Sequence, residues 1–397
     1  MIREAYDVVV VGGGPAGSMA AWQAALGGAS VLLFEKDRDL GIPVRCAEAA
    51  GKNAVDRLLD LDGNDGNVPY PWVAHQLNDV LFVAPDGTEV EVCSEEFGYI
   101  LNRRLFDQEL GRRAAQAGAQ ILTRAYVCGL RIESGRVCGV KVKLPDREIT
   151  VGSKIVIGAD GVESRVGRWA GMRTHFVLKD LETCYQMTLA GISINPRYVY
   201  CYFGENVAPG GYAWVFPKGE NVANVGLGIA ADCTADFSPK QWLERFVERY
   251  FPEASVLACV AGGVPAAKPF KRIHGAGFLI AGDAAAHSNP LTGGGITNAM
   301  AAGKLAGEIA ACCVKQGNWS EDDLSKYTKA WEQRWGVEQR RLYRIKEAVH
   351  RLTDKTLNDA ANLLVKMPLK KRTLKAVFRT TLVHNPRILL DIARCFL

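Results

Sequence analysis

No run of ~18 mainly apolar residues occurs, so no helix is expected to span a bilayer. No secretory leader is expected either: Met1 to Tyr6 carries Arg3 and Glu4 and passes directly into Asp7-Val8-Val9-Val10-Val11. The expectation is a cytoplasmic protein. There is no Cys-x-x-Cys pair among the 11 cysteines, which are scattered from Cys46 to Cys395. That odd number and spacing fit no disulfide framework, zinc site or ferredoxin cluster, and no metal is expected. The G-x-S-x-G of a serine nucleophile is absent. Repeats and low-complexity segments are also lacking. What remains is an ordinary globular chain of 397 residues, 48% hydrophobic and 23% charged, long enough for two or three packed units.

The net charge of +5 is unevenly placed. Residues 340–397 hold 14 Lys/Arg and 4 Asp/Glu, or +10, leaving 34 basic and 39 acidic residues, or −5, in 1–339. A mildly acidic body therefore carries a basic tail.

Residues 7–35 read as strand, tight turn, helix and strand. The run Asp7 to Val11 has no polar alternation, as in a parallel strand buried on both faces, and Val31-Leu32-Leu33-Phe34 is the next. A hairpin is expected over 77–92 around Pro85-Asp86-Gly87, then a helix from about Arg103 to Ala117 and an antiparallel meander over 125–157. Residues 180–230 are strand-rich without βαβ alternation, which predicts a separate antiparallel layer. A buried strand returns at 277–283, an Ala-rich helix follows at 296–315, and everything after 320 reads as helical.

Three motifs carry chemistry. The first is Gly12-Gly13-Gly14-Pro15-Ala16-Gly17 between strand and helix, with Glu35 closing the next strand. Gly12 permits the turn, Gly14 admits a pyrophosphate to the backbone, and Gly17 lets helix and strand pack closely. The helix N-terminus faces phosphate, and Glu35 accepts from ribose hydroxyls. The second motif is Gly158-Ala159-Asp160-Gly161, and the third is Gly282-Asp283 followed by Asn289-Pro290-Leu291-Thr292-Gly293-Gly294-Gly295-Ile296.

In this order the three motifs resemble FAD-binding flavoproteins of the aromatic hydroxylase class. Two further segments narrow the likeness: Pro43-Val44-Arg45-Cys46-Ala47-Glu48, and Gly211-Tyr212-Ala213-Trp214-Val215-Phe216-Pro217-Lys218 leading to Ala223-Asn224-Val225-Gly226-Leu227-Gly228. Over roughly residues 5–315 the chain resembles the geranylgeranyl reductase family, nearer its archaeal-lipid branch than its chlorophyll branch. It departs from that branch at Ala47 and Ala49, where glycines are usual; the backbone there is stiffer, which bears on the substrate and not on the flavin.

The resemblance implies a fold of α/β plus an antiparallel β layer. A discontinuous Rossmann-like FAD-binding domain would take 1–75, 100–175 and 270–315; a β-sheet substrate domain 76–99 and 176–269; and a helical, basic C-terminal region 316–397. It assigns to FAD the residues Gly12, Gly14, Pro15, Ala16, Gly17, Glu35, Lys36, Cys46, Arg103, Val127, Asp160, Gly161, Gly282, Asp283, Gly293, Gly294, Gly295 and Ile296. His287 is left between a place by the ring and a loop hydrogen bond. The implied activity is FAD-dependent saturation of isolated C=C bonds of a polyprenyl chain in a lipid, chlorophyll precursor or quinone, with Cys46, Tyr212 and Trp214 as catalytic candidates.

Tyr212, Trp214 and Phe216 alternate along a strand and so share one face. From periodicity alone that face is either an ordinary β-layer core or an aromatic wall for a hydrocarbon. Cys46 is either an inert buried thiol or an active-site group, and a thiol of ordinary pKa, about 8.5, is a weak acid for protonating an alkene. The reductant is open between NADPH and a ferredoxin-like donor protein, because no second G-x-G-x-x-G follows a strand. The tail sets Leu363, Leu364, Val365, Met367, Leu369, Leu374, Val377, Phe378 and Leu382 among Lys366, Lys370, Lys371, Arg372, Lys375 and Arg379. It reads either as a helical face packed on the body or as a peripheral contact with anionic membrane; no nucleic-acid module accompanies it. Two other functions stay open: a flavin monooxygenase or halogenase of the same fold, and an electron-transfer flavoprotein serving membrane quinone.

Overall fold

Val8, Val9 and Val10 have no exposed surface, as a β-branched run without polar alternation requires of a strand covered on both faces. They lie in the strand Ala5–Val11 of the computed structural model, which describes residues 2–61, 70–234, 236–373, 376–377 and 380. Both neighbours of that strand are parallel to it. Val31–Phe34 sets Phe34 opposite Val11, and Glu148–Gly158 sets Gly158 opposite Val11 from the other side. The strand Phe278–Ile280 runs parallel to Glu148–Gly158, with Ile280 opposite Gly158. Three adjacent strands therefore end level, at Val11, Gly158 and Ile280, and each runs into one of the glycine motifs. The chain leaves Ala5–Val11 to one side and comes back on the other, which is the switch point where open α/β sheets bind ligands.

This sheet belongs to a first unit made of Met1–Val44, Arg103–Phe176 and Pro265–Arg340. Gln120–Leu122 extends it in parallel beyond Val31–Phe34, and Tyr126–Glu133 and Arg136–Lys143 form the antiparallel meander onto Glu148–Gly158. The helices Pro15–Leu26 and Ile296–Gln316 pack at backbone distance. A Cβ on Gly303 would fall 2.1 Å from the Ala16 carbonyl oxygen, and one on Gly307 would fall 2.4 Å from that of Ala20.

The second unit is Arg45–Asn102, Val177–Val264 and Arg341–Leu397. Its sheet runs in the order Ser255–Pro265, Leu181–Ala190, Val222–Ala230, Tyr212–Gly219, Tyr198–Tyr202, Val73–Val83, Glu89–Leu101, Ala49–Gly51. Alternation gives this sheet two unlike faces. Met187, Leu189, Ala213, Val215, Val225 and Leu227 point to one, where Leu243 and Phe246 of the helix Pro239–Tyr250 cover them. Tyr212, Trp214 and Phe216 point to the other.

The structure corrects the expected boundaries. Residues 45–75 fall in the second unit, because Ala49–Gly51 pairs with Glu89–Leu101 and Asp56 of the helix Lys52–Leu58 accepts from the Tyr99 hydroxyl. Residues 316–397 are not one body. The helix Glu321–Trp331 buries Leu324, Tyr327 and Trp331 in the first unit's core, whereas Tyr343 and Lys346 bond Asp180 in the second unit. Nor is the second sheet wholly antiparallel: Tyr198–Tyr202 runs parallel to Val73–Val83. In the tail, Leu364 packs with Val90, Val92 and Ala361, while Leu363, Val365 and Leu369 are exposed. Leu374, Lys375, Phe378, Arg379, Leu382 and Cys395 lie outside the described residues.

Candidate active site

The first unit gathers most of the expected cofactor residues. Gly12 has φ +101, and a Cβ there would sit 2.3 Å from the Ala159 carbonyl oxygen, so the first and second motifs touch backbone to backbone. A Cβ on Gly282 would lie 2.9 Å from that of Ala16, bringing in the third motif. Gly295 closes the group, since its own Cβ would lie 3.4 Å from Asp283 Oδ1. Gly17 is required for packing, because a Cβ would stand 1.8 Å from the Gly12 carbonyl oxygen. At Gly14 a Cβ would meet nothing within 4 Å.

The polar groups around this cradle are built for an anionic, hydroxyl-bearing guest. The helix Pro15–Leu26 starts at Gly14 and the helix Ile296–Gln316 at Gly295, and neither has a side-chain cap. By contrast, Ser238, Ser320 and Thr353 cap the helices Pro239–Tyr250, Glu321–Trp331 and Asp354–Val365. Uncapped N–H groups at a helix start are the ordinary seat of a phosphate. Glu35 accepts from Gly13 N–H at 2.7 Å and from Asp37 N–H at 2.9 Å, which fixes its carboxylate at the strand end. Asp160 accepts from Val166 N–H at 2.9 Å through Oδ2, while its buried Oδ1 has no hydrogen-bond partner among the described residues. Burial raises the Asp160 pKa. Burial also pushes Asp283 up from 3.8 to about 6, against the opposing charge of Arg103. Arg103 itself is a bidentate partner of Asp107, with both contacts at 2.8 Å. Open space at Gly14, two uncapped helix starts and the unpartnered Asp160 oxygen fit a dinucleotide.

Three residues fit less directly. Lys36 is exposed, Val127 is buried in the hydrophobic core, and Ile296 is buried at the first turn of its helix. His287 takes the loop role: Nδ1 accepts from Gly282 N–H at 3.2 Å, and the ring stacks on Trp331 at 3.9 Å. Burial lowers its pKa to about 3, so the ring is neutral.

Asp283 has a measurable signature. Its folded-state pKa lies above the unfolded one, so the folded chain holds the proton more tightly. The contribution of Asp283 to stability is greatest below pH 3.8, falls as pH rises to about 6, and stays lower above that. At roughly 1.4 kcal/mol per pKa unit the ionised carboxylate costs the FAD-free protein about 3 kcal/mol at pH 7. Asp283→Asn is expected to raise apoprotein stability at pH 7.5 by up to about 3 kcal/mol and not at pH 4, while weakening FAD binding. Urea unfolding at the two pH values checks this; equal effects at both would show the cost is not ionisation.

The catalytic candidates Cys46, Tyr212 and Trp214 all fall in the second unit. Trp214 and Phe216 are each 7% exposed and cluster with Leu77 and Ile100, with Tyr212, Ala47 and Ala49 packed against them. The rings run on without a gap, with centroids 5.9 Å apart from Tyr212 to Trp214 and 6.1 Å from Trp214 to Phe216. Gly226 makes room for this: a Cβ there would come within 2.5 Å of the Trp214 ring. The Trp214 indole N–H donates to Gln186 Oε1 at 3.0 Å, and Gln186 Nε2 donates to the Cys46 carbonyl at 3.0 Å. The Cys46 thiol accepts from Glu48 N–H at 3.2 Å.

Sequence reasoning missed two groups on this face. Glu48 is 1% exposed, has φ +73, and accepts from Lys218 Nζ and from Asn224 Nδ2, the latter at 2.6 Å. Its signal is Asn224, a lone polar residue in the apolar strand Val222–Ala230, in phase with Phe216. The second group is Glu182, whose carboxyl burial pushes up to about 7. Its signal is the polar series Glu182, Gln186 and Thr188 on one side of its strand.

Comparison with known proteins bears on the family and the fold. The FAD binding domain family matches residues 5–221, and the geranylgeranyl reductase catalytic domain matches residues 180–264. The chain is 40% identical to a digeranylgeranylglycerophospholipid reductase of Methanocella arvoryzae, over 98% of this chain and 99% of the relative. A crystal structure of a geranylgeranyl bacteriochlorophyll reductase-like protein from Thermoplasma acidophilum superposes with a TM-score of 0.91 at 32% identity, covering 99% of each chain. A flavin-dependent brominase shares the fold alone, with a TM-score of 0.70 at 19% identity over 96% of this chain and 99% of that one.

Proposed function

This chain belongs to the geranylgeranyl reductase family of FAD-dependent oxidoreductases, and on that premise we propose that it saturates isolated C=C bonds of geranylgeranyl chains on an archaeal-type glycerophospholipid. The observation that carries the substrate class is the end-to-end likeness to relatives bearing that name, together with the continuous aromatic strip of Tyr212, Trp214 and Phe216.

FAD, when bound, supplies the hydride. The chain's own residues do the rest. The uncapped helix starts at Gly14 and Gly295 would hold pyrophosphate and the flavin end, Glu35 would take the ribose, and Asp160 and Asp283 would accept from hydroxyls. Arg103 balances Asp283. The aromatic strip offers contact without hydrogen bonds, which suits a hydrocarbon and excludes water. Cys46, pinned by Gln186 and Glu48, is the candidate thiol at this strip. Exposed Leu363, Val365 and Leu369 beside Lys366, Lys370 and Lys371 are the surface proposed to meet anionic lipid.

The test uses full-length, FAD-loaded protein, reduced anaerobically with dithionite and mixed with anionic vesicles containing an unsaturated geranylgeranyl diether phospholipid. Mass spectrometry is expected to show the lipid gaining hydrogens in pairs, and the protein is expected to sediment with the vesicles. Unchanged lipid would overturn the reading, and gain of oxygen in air would turn it toward a monooxygenase. Cys46→Ala is expected to slow the conversion while leaving the flavin bound; an unchanged rate would remove the thiol from the reaction.

A further inference from the structure

Saturating an isolated alkene takes a proton as well as a hydride, and the second unit holds a buried carboxyl group, Glu182, beside the aromatic strip. Glu182 is the second residue of the strand Leu181–Ala190 and points to the same side as Cys184 and Gln186. Its side chain is 13% exposed, and the buried Oε2 has no hydrogen-bond partner among the described residues. That oxygen looks onto the start of the aromatic strand, 3.4 Å from where a Cβ on Gly211 would stand. Gly228 is the floor beside it: a Cβ there would lie 3.2 Å from Cys184 Sγ, 3.9 Å from the Glu182 Cβ and 3.9 Å from the Trp214 ring. Gly228 is thus bordered by a thiol, the indole and the stem of Glu182, whose carboxyl oxygen lies toward Gly211.

We propose that Glu182 is the proton donor of alkene saturation, acting on a polyprenyl chain laid along the Tyr212–Trp214 face. The inference rests on the polyprenyl reading above. In the step, the Glu182 O–H bond breaks and its proton forms a C–H bond at one alkene carbon, while the hydride of the family's established reaction forms the C–H bond at the other. The carboxylate left behind is reprotonated from solvent through His350. Nε2 of that residue stands 3.9 Å from Glu182 Oε1, and its side chain is 27% exposed.

The charges around Glu182 favour a retained proton. Burial is the main cause of its raised pKa; Lys346 works against that, and Asp232 adds to it. Lys346 is engaged elsewhere, donating to the Lys179 carbonyl at 2.7 Å and to Asp180 at 3.2 Å. His350 is pushed down by burial and then by Lys346, so it faces Glu182 as a neutral ring near pH 7. The other titratable neighbours are poorer acids. Burial takes Cys184 to about 12 and raises Tyr212 and Cys233 as well.

The test compares wild type, Glu182→Gln and Glu182→Asp as FAD-loaded, full-length proteins. Glu182→Gln is expected to keep flavin absorbance and binding of the geranylgeranyl phospholipid vesicles, and to lose at least about 100-fold in alkene saturation. Wild-type turnover is expected to be flat below pH 7 and to fall tenfold per unit well above it, and Glu182→Asp to recover part of the rate. Infrared difference spectra supply the readout independent of turnover: a protonated-carboxyl band titrating near pH 7 in wild type and missing from Glu182→Gln. A full rate in Glu182→Gln, or no such band at pH 6 in wild type, overturns the proposal while wild-type reduction leaves the polyprenyl reading standing. Wild type that reduces no polyprenyl lipid overturns that reading, and the donor role with it.

Discussion

Gly14→Leu is expected to give a folded protein that no longer retains FAD. Gly14 has φ −74 and ψ −173, a conformation open to any residue, and a Cβ there meets no protein atom within 4 Å. The fold therefore has no use for the missing side chain. The space is needed by something else, and the uncapped helix start beside it says what: an anion brought against bare N–H groups. A leucine would occupy that approach. A clash of roughly 3 kcal/mol, at the upper end of overpacking, lowers FAD affinity about 100-fold. Gly17→Ala is the contrasting variant. Its Cβ would stand 1.8 Å from the Gly12 carbonyl oxygen, so strand and helix are forced apart and the melting temperature falls with or without cofactor. Flavin absorbance after gel filtration, a fluorescence titration of apoprotein with FAD, and thermal melts separate the two. A yellow Gly14→Leu protein of unchanged affinity would mean that the pyrophosphate does not approach there.

The same contrast explains how much was legible in the sequence. Gly282 and Gly295 were legible only through the family resemblance, whereas Gly12, Gly14 and Gly17 announce a phosphate turn by residue type and spacing between a strand and a helix. The buried strands Ala5–Val11 and Val31–Phe34 were equally legible, since burial on both faces removes polar alternation. The strand Ser255–Pro265 escaped notice: it sits at the sheet edge, mostly exposed, with two adjacent glycines diluting its β signal. The parallel pairing of Tyr198–Tyr202 with Val73–Val83 was also hidden, because no local period encodes a partner more than a hundred residues away. The missed carboxylates have the same cause. Glu48 and Lys218 are 170 residues apart, and nothing near either one marks the other. Only the strand phase of Asn224 and Gln186 pointed to a polar group on the aromatic side. Placing residues 45–75 with the wrong unit followed directly, since their strand partner Glu89–Leu101 lies further along the chain.

The Glu48 pair yields the second large effect, on stability. Glu48 is held from all sides: its carbonyl accepts from Leu101 N–H at 2.8 Å, and its carboxylate accepts from Lys218 and Asn224. Asn224 is fully buried and accepts in turn from the Thr188 hydroxyl at 3.0 Å. Glu48→Ala would strip the Lys218 ammonium, 22% exposed, and the Asn224 amide of their shared acceptor. Removing one member of a buried pair costs about 3–5 kcal/mol, because a desolvated charge is left without its counter-ion. Glu48→Gln keeps an oxygen for both donors and is expected to lose less, about 1–2 kcal/mol. Backbone conformation supplies an independent check. Glu48 sits at φ +73, a left-handed conformation that an alanine finds as strained as a glutamate does and a glycine does not. Glu48→Gly is therefore expected to be more stable than Glu48→Ala by about 1 kcal/mol, although it has lost the same carboxylate. Urea unfolding of the three variants reads the order directly. If Ala and Gln variants unfold together, the acceptor oxygen that Gln retains contributes nothing and loss of the charge carries the whole effect; if Gly falls below Ala, the left-handed backbone is not what limits this position. Glu48 N–H also donates to the Cys46 thiol, so any shift of this left-handed residue reaches the thiol at the aromatic strip.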